Sequence, residues 1–529
     1  MPTATADTAI AEPYREIAAA PKRFSLSGAL SRYQLILLLL IAAIWMARSP
    51  YSASNLEVPP DSVEYALAPA QLLETGHYQI VAEGRGLPPR YPPWFSVAVI
   101  LPVYALFGAE PGNAILGITI FAVTGVGIAW AIGRKISGAA GGILAALGLL
   151  AVPSYSAWAT QVMSDVPCAV LVLAGCWLFL QIRARAESGQ LSLFWVAGFL
   201  VALATLFRPV SAAMLLPFAV AALVPWRFRS ALLRSLALLV PMFGAAAISF
   251  AYNNATFGSP LRSGYDFWSW TGSARLESLF SVSSVEPNGR MLLGTAFPIL
   301  LGICGATDLV LRRTKPAART KVAPRLRDLI FFVAAAGIPI LIFHLFYFYP
   351  SDRFFLPILA GVAVIAGALL GLLVNHGYHR TMGVMLAAML LLVTFARIVV
   401  PEPVPQRRIA ADRIRQNTPS DAIIISAIEP VFLEQRVAHG SERRIVPLSR
   451  DVEYARAVYP SARNARPRYI IQFVATEQIE ELVAEARHGR RIFLDATGME
   501  KENAAALRLV NSRFRMSWKA PALYELAPL

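Results

Sequence analysis

Charge is scarce in this chain. Of its 529 residues only 15% are Asp, Glu, Lys or Arg and 56% are hydrophobic, whereas a soluble globular protein carries about 25% charged residues. That arithmetic excludes an ordinary soluble enzyme, a disordered chain, collagen and a coiled coil. Acidic residues are the scarcer sign: 33 against 48 Lys and Arg, a formal net charge of +15. In a soluble protein such an excess points to nucleic acid. Here most basic residues lie in short loops between apolar runs, where they orient spans, so no nucleic-acid partner is expected. Cysteine is nearly absent as well. Cys168, Cys176 and Cys304 all fall inside apolar runs, which argues against a disulfide framework or a metal cluster and for buried free thiols.

What the chain does have is apolar runs of bilayer-spanning length, repeated along it, with a mean hydropathy of +0.53. The first covers Leu35 to Met46 behind Lys22, Arg23 and Arg32, with no small-residue cleavage site after it, and reads as a signal anchor with a cytoplasmic N-terminus. Others follow near 94–108, 113–133, 139–155, 166–182, 191–207, 209–225, 231–251, 291–311, 328–348, 354–374 and 381–400. The strongly basic loops are Arg134/Lys135, Arg183/Arg185, Arg227/Arg229/Arg234, Arg312–Arg327 and His376/His379/Arg380. Two apolar runs separate each from the next, as the positive-inside rule requires if all are cytoplasmic. Only 94–108 breaks the parity. It is short, opens on Pro92-Pro93 and contains Pro102, so it is expected to be an interfacial or re-entrant helix of the first outer loop.

The expectation is a polytopic α-helical membrane protein of about eleven transmembrane helices, with interfacial helices in the first outer loop, 48–112. Residues 1–400 form the membrane domain. After Pro401 the composition turns polar and Arg-rich, with β-like runs (Ala422–Ala427, Tyr469–Val474, Arg491–Leu494) alternating with helical stretches such as Glu477–Arg487. Residues 401–529 therefore read as a small extracytoplasmic α/β soluble domain. It has no Gly-rich phosphate loop, no paired Cys/His and no nucleophile elbow, and no chemistry is assigned to it.

Charged residues at span ends are costly and so informative. Asp61 and Glu64 occur in PPDSVEYA, Asp165 in TQVMSDVPCAV. Each aspartate has an N-cap as its competing reading, Asp61 after Pro59-Pro60 and Asp165 ahead of Pro167. The topology nevertheless places both at the outer membrane face, where two carboxylates can supply a general base or hold a metal ion. Arg90 in GLPPRYPPW, Arg208 in TLFRPVS and Arg353 in FYPSDRFFLP stand at the outer face against the positive-inside rule. Singly each reads as an exposed loop residue. Together they suggest an anionic headgroup site, for which the planar guanidinium fork is suited. His344, Tyr347, Phe348 and Tyr349 precede Arg353, and Tyr265 opens the YDFWSW stretch (Asp266, Phe267, Trp268 and Trp270 following). Most of these aromatics read as an interfacial belt, with sugar stacking or an acyl portal as the functional alternative for the YDFWSW stretch.

These features in this order resemble the GT-C superfamily of polyprenyl-phosphate-dependent glycosyltransferases, in the branch holding bacterial aminoarabinose transferases and protein O-mannosyltransferases. The motifs are DSVEYA, then RYPPWFSVAVILPVYALFG, the turn GRKISG, SDVP, YNNATFGSPLRSGY and YPSDRFFLPILAG. The resemblance covers essentially the whole chain, each motif being short. It implies a GT-C-like fold in a bacterial inner membrane and inverting sugar transfer at the outer face, from a polyprenyl-phosphate-linked donor to a lipid, glycan or protein acceptor. It implies Asp61 as the catalytic carboxylate and Asp165 as the residue orienting the acceptor or a metal. Arg90, Arg208 and Arg353 would hold the donor phosphate, with Glu64, Tyr265, His344 and Tyr349 as further substrate contacts. It makes no cofactor certain and leaves a divalent cation open, with Asp61 and Asp165 as its ligands if one binds. The chain departs from the family in having Asp-Ser where protein mannosyltransferases have Asp-Glu, in the place of Arg90 before the Pro pair, and in Arg208-Pro209. The alternatives are a transporter or lipid flippase, which would place its charges at the membrane midplane, and a non-catalytic envelope scaffold.

Overall fold

A computed structural model of the chain describes residues 26–47, 59–82, 85–109, 111–185, 191–224, 228–265, 280–313, 319–375, 406–428, 433–438, 440–448, 476–499 and 503–529. The apolar runs become helices: α1 (Leu26–Ala47), α4 (Pro111–Leu150), α6 (Asp165–Ala184), α7 (Leu191–Phe207), α8 (Leu215–Leu223), α9 (Phe228–Phe257), α12 (Arg319–Phe346) and α13 (Leu356–Asn375). Between α1 and α4 lie α2 (Pro59–Thr75), the two-stranded ribbon β1 (Ile80–Ala82) and β2 (Arg85–Leu87), and α3 (Leu101–Phe107). The short α5 (Pro153–Trp158) precedes α6, and α10 (Val285–Gly294) with α11 (Phe297–Arg313) precedes α12. This is a multi-pass helical membrane fold. Among the described residues five helices are long and apolar enough to cross a bilayer, or six if the bent pair α10–α11 is one span. The expected span 381–400 lies outside the described residues, as do Tyr469–Val474 and Asp266–Trp270 of the aromatic stretch.

Local sequence explains the departures from regular spans. The expected runs 113–133 and 139–155 appear as one helix, α4, broken at Ser137 (φ −131°, ψ 22°) and Gly138 (φ 73°, ψ −161°). Only glycine takes the second of those conformations readily, so GRKISG forms a helical hairpin turn, and Asn375 Nδ2 ties it to α13 by donating to the Ser137 carbonyl at 2.6 Å. The run 291–311 is likewise not one helix. It starts earlier, at Val285, and bends by 62° between Gly294 and Phe297. The stretch 94–108 forms a π-helical turn of five residues (Ser96–Ile100) leading into the seven of α3. At a rise of about 1.5 Å per residue that is roughly 18 Å, well short of a ~30 Å hydrocarbon core. Val99, Ile100, Val103 and Tyr104 face inward while Val97, Leu106 and Phe107 stay exposed, the two-sided pattern of a helix lying at an interface.

The core of the membrane domain is the contact between α4 and α13, which is buried along nearly its whole length. Small residues permit it. A Cβ on Gly367 would come within 2.4 Å of the Ala145 backbone, and one on Gly371 within 2.3 Å of Gly141 Cα. With no hydrophobic drive between helices in lipid, such close backbone approach supplies the packing energy.

After Gln406 a separate architecture begins. It comprises α14 (Gln406–Asn417), β3 (Ile423–Ser426), β4 (Arg444–Pro447), α15 (Thr476–Arg487), β5 (Ile492–Asp495), α16 (Ala504–Asn511), β6 (Phe514–Ala520) and β7 (Leu523–Pro528). The sheet order is β4-β3-β5-β7-β6, parallel from β4 to β5 and antiparallel beyond. Both β3 and β5 are wholly buried, each three apolar residues closed by a polar one (Ser426, Asp495), as parallel strands covered on two faces should be. Helix 477–487 and the strands near 422–427 and 491–494 occur where the sequence predicts them.

The Gly367 contact generates a stability prediction. Gly367→Val should cost about 1–3 kcal/mol or more through overpacking and lower the melting temperature of the purified protein, whereas valine in place of Gly302, around which nothing lies within 4 Å of a built Cβ, should change it little.

Candidate active site

Pro59 and Pro60 open α2, and their fixed φ suits a first helical turn. Asp61 therefore sits inside that turn, and the N-cap alternative does not hold for it. Asp61, Glu64 and Tyr65 follow at i, i+3 and i+4, so they share one face of α2, and all three are buried. Arg90 arrives from the segment after β2. Its NH2 donates to Asp61 Oδ1 at 3.0 Å, its Nε to Glu64 Oε1 at 2.7 Å, and its backbone N–H to Glu64 Oε2 at 2.8 Å. The other Asp61 oxygen, Oδ2, accepts from Arg353 NH2 at 3.1 Å across 292 residues of sequence.

A second pair lies alongside. Asp165 is the first residue of α6, with Ser164 in the cap position, so Asp165 is no N-cap either. Its carboxylate is fully buried and meets Arg208 NH2 at 2.9 Å. Pro209 keeps the residue before it out of the helical region, and Arg208 is accordingly extended (φ −148°, ψ 115°) between α7 and a 3-10 turn, Pro209–Met214. From there its Nε reaches Ser164 Oγ at 3.3 Å. Phe354 joins the two pairs. Its ring lies 5.2 Å from the Arg208 guanidinium and 5.1 Å from that of Arg353. Trp158, at the end of α5, covers Arg353 at 5.3 Å and donates its indole N–H to Asp352 Oδ1 at 3.2 Å. Among the described residues, Arg353 Nε has no hydrogen-bond partner.

The five expected residues Asp61, Asp165, Arg90, Arg208 and Arg353 thus gather at one end of their helices, with Glu64 among them.

The segment 91–252 matches the family model described as dolichyl-phosphate-mannose-protein mannosyltransferase. No curated protein sequence matches the chain. Among solved structures, ArnT from Cupriavidus metallidurans bound to undecaprenyl phosphate superposes with a TM-score of 0.55 at 16% identity, covering 95% of this chain and 98% of that one. Its apo state gives 0.54 at 15% identity, covering 94% and 98%. The Archaeoglobus fulgidus oligosaccharyltransferase, tethered to an acceptor peptide, gives 0.50 at 14% identity, covering 95% and 75%. The chain has the GT-C fold.

Within this GT-C fold the remaining expected residues differ in placement. Tyr265 stands edge-on to Tyr91 at 5.6 Å, Tyr91 stacks on Tyr65 at 4.5 Å, and the Tyr91 hydroxyl hydrogen-bonds Asp61. The chain reaches this point because Gly264 lies against Arg90, where a Cβ would meet the Arg90 carbonyl at 2.3 Å. That is a physical reason for the GY pair of the FGSP segment. His344 is buried behind the site, its Nδ1 2.9 Å from the Ile340 carbonyl and its ring stacked 5.0 Å from Phe354. It touches neither carboxylate. Tyr349 is exposed, 6.4 Å from the Phe354 ring, and lies outside the cluster. Trp158, Tyr65 and Phe354 escaped the sequence reading. Nothing local marks them, since aromatic residues near span ends are common.

The carboxylates do not form a cation site as they stand. Both Asp61 oxygens already carry guanidiniums, Asp165 faces a third, and no three His, Cys, Asp or Glu side chains gather for a metal among the described residues. No reaction step is therefore routed through a metal. Burial pushes the Asp61 carboxyl up, but Arg90, Arg353 and Tyr91 together outweigh it and hold it below the usual carboxylate range. Glu64 is more deeply buried and faces only Arg90 and its like-charged neighbour Asp61, so burial prevails and its carboxyl is raised.

Opposite pH signatures follow from these two shifts. A lowered folded value means that Asp61 stabilises the fold fully above its unfolded value of about 3.9, and less as pH falls through the folded value. The raised Glu64 contributes fully below about 4.3 and loses that contribution as pH rises through its folded value. On thermal melts between pH 3 and 7, the penalty of Asp61→Asn should grow with pH and that of Glu64→Gln should shrink. Parallel trends would contradict the arrangement.

Proposed function

We propose that the chain is an inverting glycosyltransferase that moves a sugar from a polyprenyl-phosphate-linked donor to an acceptor hydroxyl at the outer face of a bacterial inner membrane, its N-terminus cytoplasmic and its C-terminal domain extracytoplasmic. The acceptor is an envelope lipid, glycan or protein. One observation carries the reading: a buried carboxylate, Asp61, is bridged to two arginines from separate segments, and one of these, Arg353, keeps a buried N–H with no partner among the described residues. The likeness in fold to ArnT, which was solved with undecaprenyl phosphate, supports the lipid-phosphate donor. A transporter is less well supported, because the charges sit where helices begin or end and not along their middles.

The chemistry follows from the charges. Three guanidiniums face three carboxylates, so their formal charges balance, and an arriving phosphate must draw cations toward itself. Arg353 and Arg208 can turn their donors to it in two-pronged contact. As Arg353 leaves Asp61, the carboxylate loses one of the cations that keep it a weak base. The acceptor hydroxyl then passes its proton to Asp61 while its oxygen bonds to the anomeric carbon. The bond from that carbon to the phosphate oxygen breaks, and the lipid phosphate departs with the electron pair, its charge held by the arginines. Donor binding thereby activates the base.

Variants separate the two roles. Asp61→Asn keeps the shape but cannot take a proton, and turnover should fall about 10²–10⁴-fold with undecaprenyl-phosphate binding retained. Arg353→Ala should weaken that binding by an amount equivalent to about 1.5–3 kcal/mol, and Arg353→Lys should recover only part. Titration with undecaprenyl phosphate and single-turnover rates on purified variants measure both. An Asp61→Asn protein with near wild-type turnover would overturn the mechanism.

A further inference from the structure

The membrane domain has a second concentration of charge, at the end opposite Asp61. Helix α6 starts at Asp165 and ends beside Arg183 and Arg185, 20 residues on, which at about 1.5 Å per residue is about 30 Å, the thickness of one hydrocarbon core. Helix α12 begins at that same far end, where Asp328 meets Arg183 Nε at 3.4 Å. The turn of α4 arrives there too. Arg325 of α12 donates from NH1 to the Lys135 carbonyl at 3.0 Å, and the Lys135 ammonium lies 5.1 Å from the Trp177 ring of α6.

Around Asp61 each guanidinium of the cluster faces a carboxylate. At the far end the balance differs. Asp328 is taken by Arg183, while Arg325 and Arg185 both bear on the Lys135 ammonium as like charges. Among the described residues no ion pair engages Lys135 or Arg325. Like charges repel, yet the Arg325 side chain is tied to the backbone of the very residue whose ammonium it opposes. The positive-inside rule accounts for basic residues at this end, but not for their convergence from three helices on one point.

An anion placed between Lys135 and Arg325 would turn that repulsion into attraction. A phosphodiester fits the pair, since the ammonium supplies a point charge and the guanidinium a planar fork for its two anionic oxygens. Trp177 adds an indole, the side chain suited to the boundary between headgroup and hydrocarbon. A headgroup carrying its own ammonium would meet a third cation, Arg185, and is disfavoured. We infer that Lys135 and Arg325, with Trp177 beside them, hold the phosphodiester of an anionic phospholipid in the leaflet opposite the Asp61 cluster. This goes beyond the transferase reading and does not depend on it. The lipid clamps α4, α6 and α12 together at one end, and α6 carries Asp165 at the other.

Native mass spectrometry of the purified full chain in neutral detergent, with lipid added, tests this. Phosphatidylglycerol should bind about tenfold more tightly than phosphatidylcholine of the same acyl chains, a comparison that needs no variant. Lys135→Gln and Arg325→Gln should each lower phosphatidylglycerol affinity about tenfold, as expected for loss of a charge-assisted contact. Arg229→Gln removes one charge where α9 begins, at the same end, and should leave that affinity unchanged, as should Arg353→Ala. Equal binding of the two lipids, or unaltered affinity in the Lys135 and Arg325 variants, would overturn the inference. So would an equal loss in Arg229→Gln, which would mark diffuse surface charge, or in Arg353→Ala, which would place the lipid at the Asp61 cluster. Displacement of the lipid by an equal concentration of inorganic phosphate would assign the site to a free anion and overturn it as well.

Discussion

Guanidinium groups matched to buried carboxylates are the constraint on which one end of this membrane domain depends. Asp61 and Arg353 are both more than nine-tenths buried, in surroundings where a lone charge would be prohibitively costly. Each is tolerable only because the other is within hydrogen-bond reach. Glu64 and Arg90 are joined in the same way, and Asp165 faces Arg208 at ion-pair distance, 2.9 Å. Since the partners come from α2, the segment after β2, the start of α6, the end of α7 and the turn before α13, the pairing fixes how those segments meet. Breaking a buried pair costs more than its formation gains, because one charge is left without compensation. The network is thus a device for position more than for stability.

Helix packing makes that position possible. The Gly367 and Gly371 contacts bring α13 against α4 at backbone distance, which anchors the turn before α13 and with it Arg353. The break at Ser137–Gly138 returns α4 toward the face from which it came, so that α5 and Asp165 can follow on the Asp61 side. Gly264 performs the equivalent service for Arg90. In each case a missing side chain in one element sets the place of a charged side chain in another.

A neutral cluster of six charges also has a chemical consequence. An arginine already engaged with a carboxylate is held in place, so little ordering remains to be done when a phosphate arrives. The carboxylate that gives it up becomes more basic at that moment. In the proposed transfer, positioning of the leaving group and readiness of the base are therefore linked through Arg353.

Much of this was legible in one dimension. Apolar runs, basic loops and the proline-interrupted segment 94–108 report the solvent each stretch must face, because lipid demands apolar side chains and satisfied backbone wherever the chain lies. The alternating strands and helices after Gln406 are legible for a similar reason, since burial on one or two faces imposes a period. Asp61, Asp165, Arg90, Arg208 and Arg353 could be picked out because a charge at a span end conflicts with its surroundings. The bend at Gly294–Phe297 and the distance of His344 and Tyr349 from the carboxylates left no such mark. Nor could the sequence say which arginine meets which carboxylate, or that Trp158 and Phe354 face the guanidiniums. Composition and periodicity record the environment of each segment, while partners separated by 292 residues, as Asp61 and Arg353 are, are chosen only when helices pack, and that choice belongs to the tertiary structure alone.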